Sequence, residues 1–169
     1  MKAHFEMFAA YNHWANARLF EAANALSDTA YHSDEKAFFG SVHGTLNHLL
    51  VGDRIWMRRF TGQGPEHRDL NEIIHEDRAA LAQARKKEDE RIITWVDGLS
   101  EAELTGDITY MPITTPREIR SPLAPLMAHF FNHQTHHRGQ AHALLTRLAD
   151  TAPSLDLVYF NYERMELSN

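Results

Sequence analysis

The sequence predicts an all-α fold, a four-helix bundle with a small β-hairpin or crossover before its last helix. Three observations carry this. Apolar residues recur at helical spacing in four separate segments, no alternating run is long enough to build a main sheet, and 169 residues suit one domain with a sizeable core. A single domain over 1–169 is therefore expected, since neither an internal repeat nor a low-complexity linker interrupts the chain.

The first helix is expected over about residues 3 to 26, where Phe5, Phe8, Tyr11, Ala15, Leu19, Ala22 and Leu26 recur every three or four positions. Ser27-Asp28 ends or redirects it. A second helix runs from Ser41, a suitable N-cap, to the breaker Thr61-Gly62-Gln63-Gly64-Pro65. The third spans about residues 72 to 97. Its charge run, Arg85-Lys86-Lys87-Glu88-Asp89-Glu90-Arg91, reads as a solvated face. Ser100-Glu101-Ala102-Glu103 has the form of a capping box. Residues 107–111 and 117–120 carry strand-like patterning on either side of Pro112-Ile113-Thr114-Thr115-Pro116, which predicts a small hairpin. The last long helix starts after Pro122 and runs to about Ala149. Beyond Pro153, the apolar residues Leu155, Leu157, Val158, Tyr159, Phe160 and Tyr162 predict a tail that folds back over the bundle and covers one mouth of any site there.

Composition removes several function classes. There is no cysteine, so disulfides, thiolate metal sites, iron-sulfur clusters and cysteine nucleophiles are excluded. The net charge of −6 comes with scattered rather than clustered lysines and arginines, which offers no footprint for a phosphate backbone, and nucleic acid is not an expected partner. The start of the chain lacks the basic, apolar and small-residue regions of a signal peptide, and no apolar run reaches membrane-spanning length. A cytoplasmic protein without membrane attachment is the expectation.

The chemistry-bearing motif is Asn132-His133-Gln134-Thr135-His136-His137-Arg138-Gly139-Gln140. Side chains four apart on a helix sit one above the other, so His133 and His137 can grip a single metal ion. They also lie within or beside the stripe formed by Leu126, Phe130, Ala141, Leu144 and Leu148, whereas His129 and His136 fall at its edge. His129 and His137 would be roughly 12 Å apart along the axis, too far to share an ion. A third ligand is expected because catalytic zinc sites usually combine three protein ligands with an open position. His48 is the best candidate, for Gly44 and Gly52 flank it one turn away on either side and a glycine row admits a close neighbour. His43 is rotated away from that face. With twelve histidines in the chain, the spacing alone also suits hydrogen-bonded core histidines. A carboxylate-bridged di-iron bundle is set aside, since only Glu72-Ile73-Ile74-His75 has the Glu-x-x-His spacing.

Taken with Tyr11-Asn12-His13-Trp14-Ala15-Asn16, Leu46-Asn47-His48-Leu49, Gly52-Asp53-Arg54-Ile55-Trp56 and Leu155-Asp156-Leu157-Val158-Tyr159, this motif resembles the DinB/YfiT-like family of metal-binding four-helix bundles. The likeness spans nearly the full chain. It implies a metal triad at His48, His133 and His137, and members that are commonly homodimers. Some relatives are thiol S-transferases using bacillithiol or mycothiol, or isomerases that depend on mycothiol, so a small-molecule substrate and a low-molecular-weight thiol are implied partners. One divalent metal ion is the expected cofactor, with zinc or nickel first and iron or manganese as alternatives. Gln140 is expected to hold a ligand histidine by its other ring nitrogen.

Three readings follow for the chemistry. A thiol transferase needs an apolar cavity beside the ion, for which Trp56 and Tyr159 are candidates. A hydrolase needs a general base, which Asp53, Glu163 or His129 would supply. A non-catalytic metal-binding protein needs neither.

Overall fold

The computed structural model describes residues 1–113, 115, 117–149 and 152–167. Four long helices form the bundle: α1 (Lys2–Asn24), α3 (Val42–Thr61), α4 (Arg78–Gly98) and α6 (Leu123–Ala149). Each of α1 and α3 packs against both α4 and α6, so the four close a ring. Short elements join them: α2 (Asp28–His32), α5 (Glu101–Leu104), the strands β1 (Asp107–Tyr110) and β2 (Ile119–Pro122), and a final helix α7 (Leu157–Glu166). Among the described residues no helix is long and apolar enough to cross a membrane.

Local chemistry sets the boundaries. Ser27 caps α2 by accepting from Ala30 N, which turns the chain at the predicted place. Ser41 caps α3 by accepting from Gly44 N at 3.0 Å, and Gly62 ends it in the left-handed conformation, its N–H returned to Arg58 O. The capping box at α5 is complete, with Ser100 and Glu103 satisfying each other's backbone N–H. The hairpin is antiparallel, pairing Ile108 with Ser121 and Tyr110 with Ile119. Thr114 and Pro116 of its expected turn lie outside the described residues.

The third long helix begins at Arg78, capped by Asp77, about six residues later than the spacing predicts. The reason is tertiary. Asn47 on α3 is buried, and its Oδ1 accepts from the N–H groups of Ile74 and His75 at 3.0 and 3.1 Å, while its Nδ2 donates to the carbonyls of His43 and His75. Those contacts satisfy the backbone of residues 74–75 in a non-helical path, so the helical spacing there is overridden.

The core divides into two apolar ends with a polar layer between them. One end gathers Leu19, Tyr31, Leu46, Leu49, Leu50, Leu81, Leu144 and Leu145, and the other Phe5, Trp56, Met57, Ile92, Val96, Met127 and Phe130. Between these ends each long helix contributes buried polar groups: Asn12 and Asn16 from α1, Asp53 from α3, Arg85 and Asp89 from α4, Gln134 and Arg138 from α6. Arg85 pairs with Asp53 at 2.8 Å and Asp89 at 2.9 Å. Asn12 and Asn16 donate to Asp89, Arg138 donates to Asn12, and Gln134 donates to Asp53. Burial pushes the Asp53 carboxyl up to about 7 against the pull of Arg85. Burial likewise opposes the Arg85 cation, but Asp89 and Asp53 outweigh it and hold its pKa high.

This layer corrects the reading of 85–91 as a solvated face, because Arg85, Glu88 and Asp89 are all buried. The stripe of Leu81, Ala84, Ile92 and Val96 runs straight through them at spacings of three and four. A charged residue on an apolar stripe is thus the signal that this run conceals.

Candidate metal centre

At the level of the polar layer, the seam between α3 and α6 holds three histidines. The glycine row on α3 prepares it, though by two different devices. A Cβ at Gly52 would sit 2.9 Å from His133 Cε1, so the absent side chain is what lets α6 bring His133 against α3. At Gly44 a Cβ would overlap Phe39 O. The neighbour admitted there is the backbone before Ser41, not the helix that the glycine row suggests.

The structure brings together the expected trio. One ring nitrogen from each of His48, His133 and His137 falls in a group whose members all lie within 4.8 Å of one another. Nε2 of His137 is 3.2 Å from Nε2 of His48 and 3.1 Å from Nε2 of His133. His129 and His136 stay outside the group, as their places at the edge of the stripe predict. His43 turns to the carbonyl of His75 at 2.9 Å.

The hydrogen bonds decide what these nitrogens present. His48 Nδ1 donates to Leu70 O at 2.8 Å, and His137 Nδ1 donates to Gln140 Oε1 at 2.8 Å, with the Gln140 amide nitrogen in turn on His136 Nε2. Each of these neutral rings therefore offers a bare lone pair at Nε2. Burial, joined by the other imidazoles, drives the pKa of His133 down to about 3, and burial lowers that of His137 to about 4 despite Gln140. Burial also lowers His48 against the opposing Leu70 carbonyl. Lone pairs facing each other at this range repel unless a cation lies between them. Ligand nitrogens 2.0–2.1 Å from a tetrahedral ion are ~3.3 Å apart, close to the two spacings that His137 makes. The donor set fits a metal ion.

The support is uneven. Leu70 O and Gln140 orient two of the rings, as second partners of metal-bound histidines do. His133 Nδ1 is buried without a hydrogen-bond partner among the described residues, so its ring is positioned by packing on Gly52. The Phe39 ring covers His48, stacked at 3.8 Å and 18°. Sequence reading missed Phe39 and Leu70; the Phe38-Phe39-Gly40 turn ahead of the N-cap was the available signal for the first, and nothing local marks the second.

A cavity of about 250 Å³ opens beside His133, walled by Gly52, Trp56, Arg59, Tyr110 and His129 among others. Trp56 thus lies where an apolar wall was expected. Tyr159 does not: it is half exposed and packs against Tyr162. The tail folds back as expected, but onto the flank of α1, where Phe160 packs on Tyr11 and Trp14 and Tyr11 donates to Leu155 O at 2.7 Å. The cover over the histidines is Phe39. Two of the three candidate bases are committed elsewhere. Asp53 is fully buried against Arg85 and Gln134, and Glu163 accepts from Trp14 Nε1 and pairs with Arg18. Only His129 edges the cavity, with its ring 5.0 Å from Trp56 and its pKa lowered by burial and by Arg59.

Comparison with known proteins gives two findings. A family model described as the DinB family matches residues 1–166. Among curated proteins, Protein DinB of Bacillus subtilis (strain 168) is 27% identical over 143 residues, covering 80% of this chain and 80% of that protein.

Proposed function

We propose that this chain, which belongs to the DinB family, holds one divalent metal ion on His48, His133 and His137 and uses it to activate a small thiol for attack on a small electrophile. The observation that carries the reading is the convergence of three imidazole nitrogens with no fourth His, Asp or Glu joining them among the described residues. Structural zinc sites are usually closed by four protein ligands, whereas three leave a position for a reactant. An ion on three neutral imidazoles keeps its charge uncompensated, which favours ionisation of a thiol or water in that position. Zinc or nickel suits the all-nitrogen set best, with iron or manganese as alternatives.

The remaining residues have separable roles in this reading. Leu70 O and Gln140 lock the tautomers of His48 and His137, so that neither ring has to reorganise to present its lone pair. Phe39 shields one side from water. Trp56 and Tyr110 wall the cavity into which the electrophile enters, and the neutral His129 at its edge accepts or returns a proton. Activation of water with His129 as the base is the second reading, favoured by that same position.

Metal analysis of purified wild-type and variant protein, paired with a thiol-transfer and ester-hydrolysis screen, tests both. His133→Ala is expected to remove metal and turnover together, and His136→Ala to keep the metal. Loss of metal in His136→Ala, or its retention in His133→Ala, refutes the ligand set. Metal-loaded protein that neither binds small thiols nor turns over thiol or ester substrates is a binding protein, not an enzyme.

A further inference from the structure

The cavity beside His133 continues outward. A second cavity of about 630 Å³ shares Ile55, Arg59, Tyr110, Pro112 and Ile113 with it. Arg59 stands at this junction, its guanidinium 4.5 Å from the Trp56 ring centre and 5.1 Å from that of Tyr110. The donors of the other two arginines that line this groove are taken: Arg58 donates to Gly64 O at 2.6 Å, and Arg68 pairs with Glu66 at 2.9 Å. Arg59 alone, half-buried, has aromatic faces but no ion pair and no hydrogen bond to a protein acceptor among the described residues. Burial lowers its pKa, so the fold bears a cost for a cation that no carboxylate among the described residues pairs with.

We infer that Arg59 is the recognition residue for a carboxylate on the ligand, so that the substrate class is a small monocarboxylate with an apolar body. The inference deepens the metal-centre reading and rests on it for where reaction occurs. A planar guanidinium flanked by two rings leaves its edge free for a two-point contact with a planar carboxylate. One guanidinium with free donors takes one carboxylate, since Arg58, which also lines the outer cavity, gives its donor to Gly64 O. Trp56 and Tyr110 take the apolar body, which bridges from Arg59 towards His133.

The test compares binding of 3-phenylpropionate with that of its neutral amide, 3-phenylpropanamide, by calorimetry at low salt, with metal content measured on the same samples. Neither probe carries a thiol. Wild-type protein is expected to prefer the acid by roughly tenfold or more, as charge-assisted hydrogen bonds give. Arg59→Gln should bind the amide as before and lose the preference, while Arg59→Lys, which keeps the charge and the stem, should retain part of it. Arg58→Gln should keep it whole. No preference in wild type, or a preference that survives in Arg59→Gln, overturns the inference; the latter result would mean that the acid binds elsewhere, including on the metal. Metal retained without preference removes this inference alone, and preference without metal removes the metal reading alone.

Discussion

Replacing Gly52 with alanine separates the metal centre from the bundle that carries it. The added methyl carbon would lie 2.9 Å from His133 Cε1 and 3.5 Å from its Nδ1. Ordinary carbon contacts begin near 3.4 Å, so the ring must retreat by about half an ångström, against a tolerance of about 0.2 Å in metal–ligand distance. For the metal-free protein two effects oppose. Alanine gains about 1 kcal/mol over glycine inside a helix, and the forced contact costs about 1–3 kcal/mol. The net loss of stability should therefore stay below about 2 kcal/mol, while metal affinity falls by about tenfold to a hundredfold, the range seen when a ligand loses its support. Zinc affinity from competition with a chromophoric chelator, and urea unfolding with and without chelator, give the two numbers. Gly139→Ala is the matched control, since a Cβ there meets nothing within 4 Å; it should keep the affinity and raise stability by up to about 1 kcal/mol. Affinity within twofold of wild type in Gly52→Ala would refute the claim that close approach at Gly52 positions a ligand.

Three further outcomes are expected. Arg85→Met leaves Asp53 and Asp89 buried without their shared cation and should destabilise the protein by about 3–5 kcal/mol in urea unfolding; a loss under 1 kcal/mol would mean that the polar layer takes in water. Asn47→Ala strips the anchor from residues 74–75 and should cost about 1–3 kcal/mol, and it should also weaken metal binding because Leu70 O, which orients His48, belongs to the same connection between α3 and α4. Finally, His133 and His137 have folded pKa values of about 3 and 4, below the ordinary 6.5, so the unfolded chain binds more protons between these limits. Stability of metal-free protein should be fully present above pH 6.5 and fall as pH drops towards 3, and metal binding at pH 7.5 should release almost no protons from these two rings, as calorimetry in buffers of different ionisation enthalpy would show.

The polar layer and the histidines share helices but face different ways. Gln134 and Arg138 follow His133 and His137 in sequence, a rotation of about 100° each, which aims the first pair at the bundle centre and the second at the α3 seam. A buried network that joins all four long helices is costly unless complete, and its two aspartates and two arginines balance in formal charge. It also explains why Asp53 is no base for the site. Its carboxylate is spent on Arg85 and Gln134.

Sequence by itself determined whatever depends on period and local hydrogen bonding. The helical stripes, the caps at Ser41 and Ser100, the hairpin and the trio His48, His133 and His137 were legible because a helix converts spacing into direction, and direction placed two histidines on the face that meets α3, where Gly52 admits His133. What only the tertiary structure decided depends on partners distant in the chain. Arg85 and Asp89 look like surface charges until Asn12, Asn16 and Asp53 arrive to satisfy them. Residues 72–77 look helical until Asn47 claims the backbone at 74–75. Phe39 rather than the tail covers the histidines, because Gly44 admits its carbonyl while α1 offers Phe160 an aromatic face of its own. At 72–77 long-range hydrogen bonds outweighed a local preference worth less than about 1 kcal/mol per residue, and no reading of spacing contains that comparison.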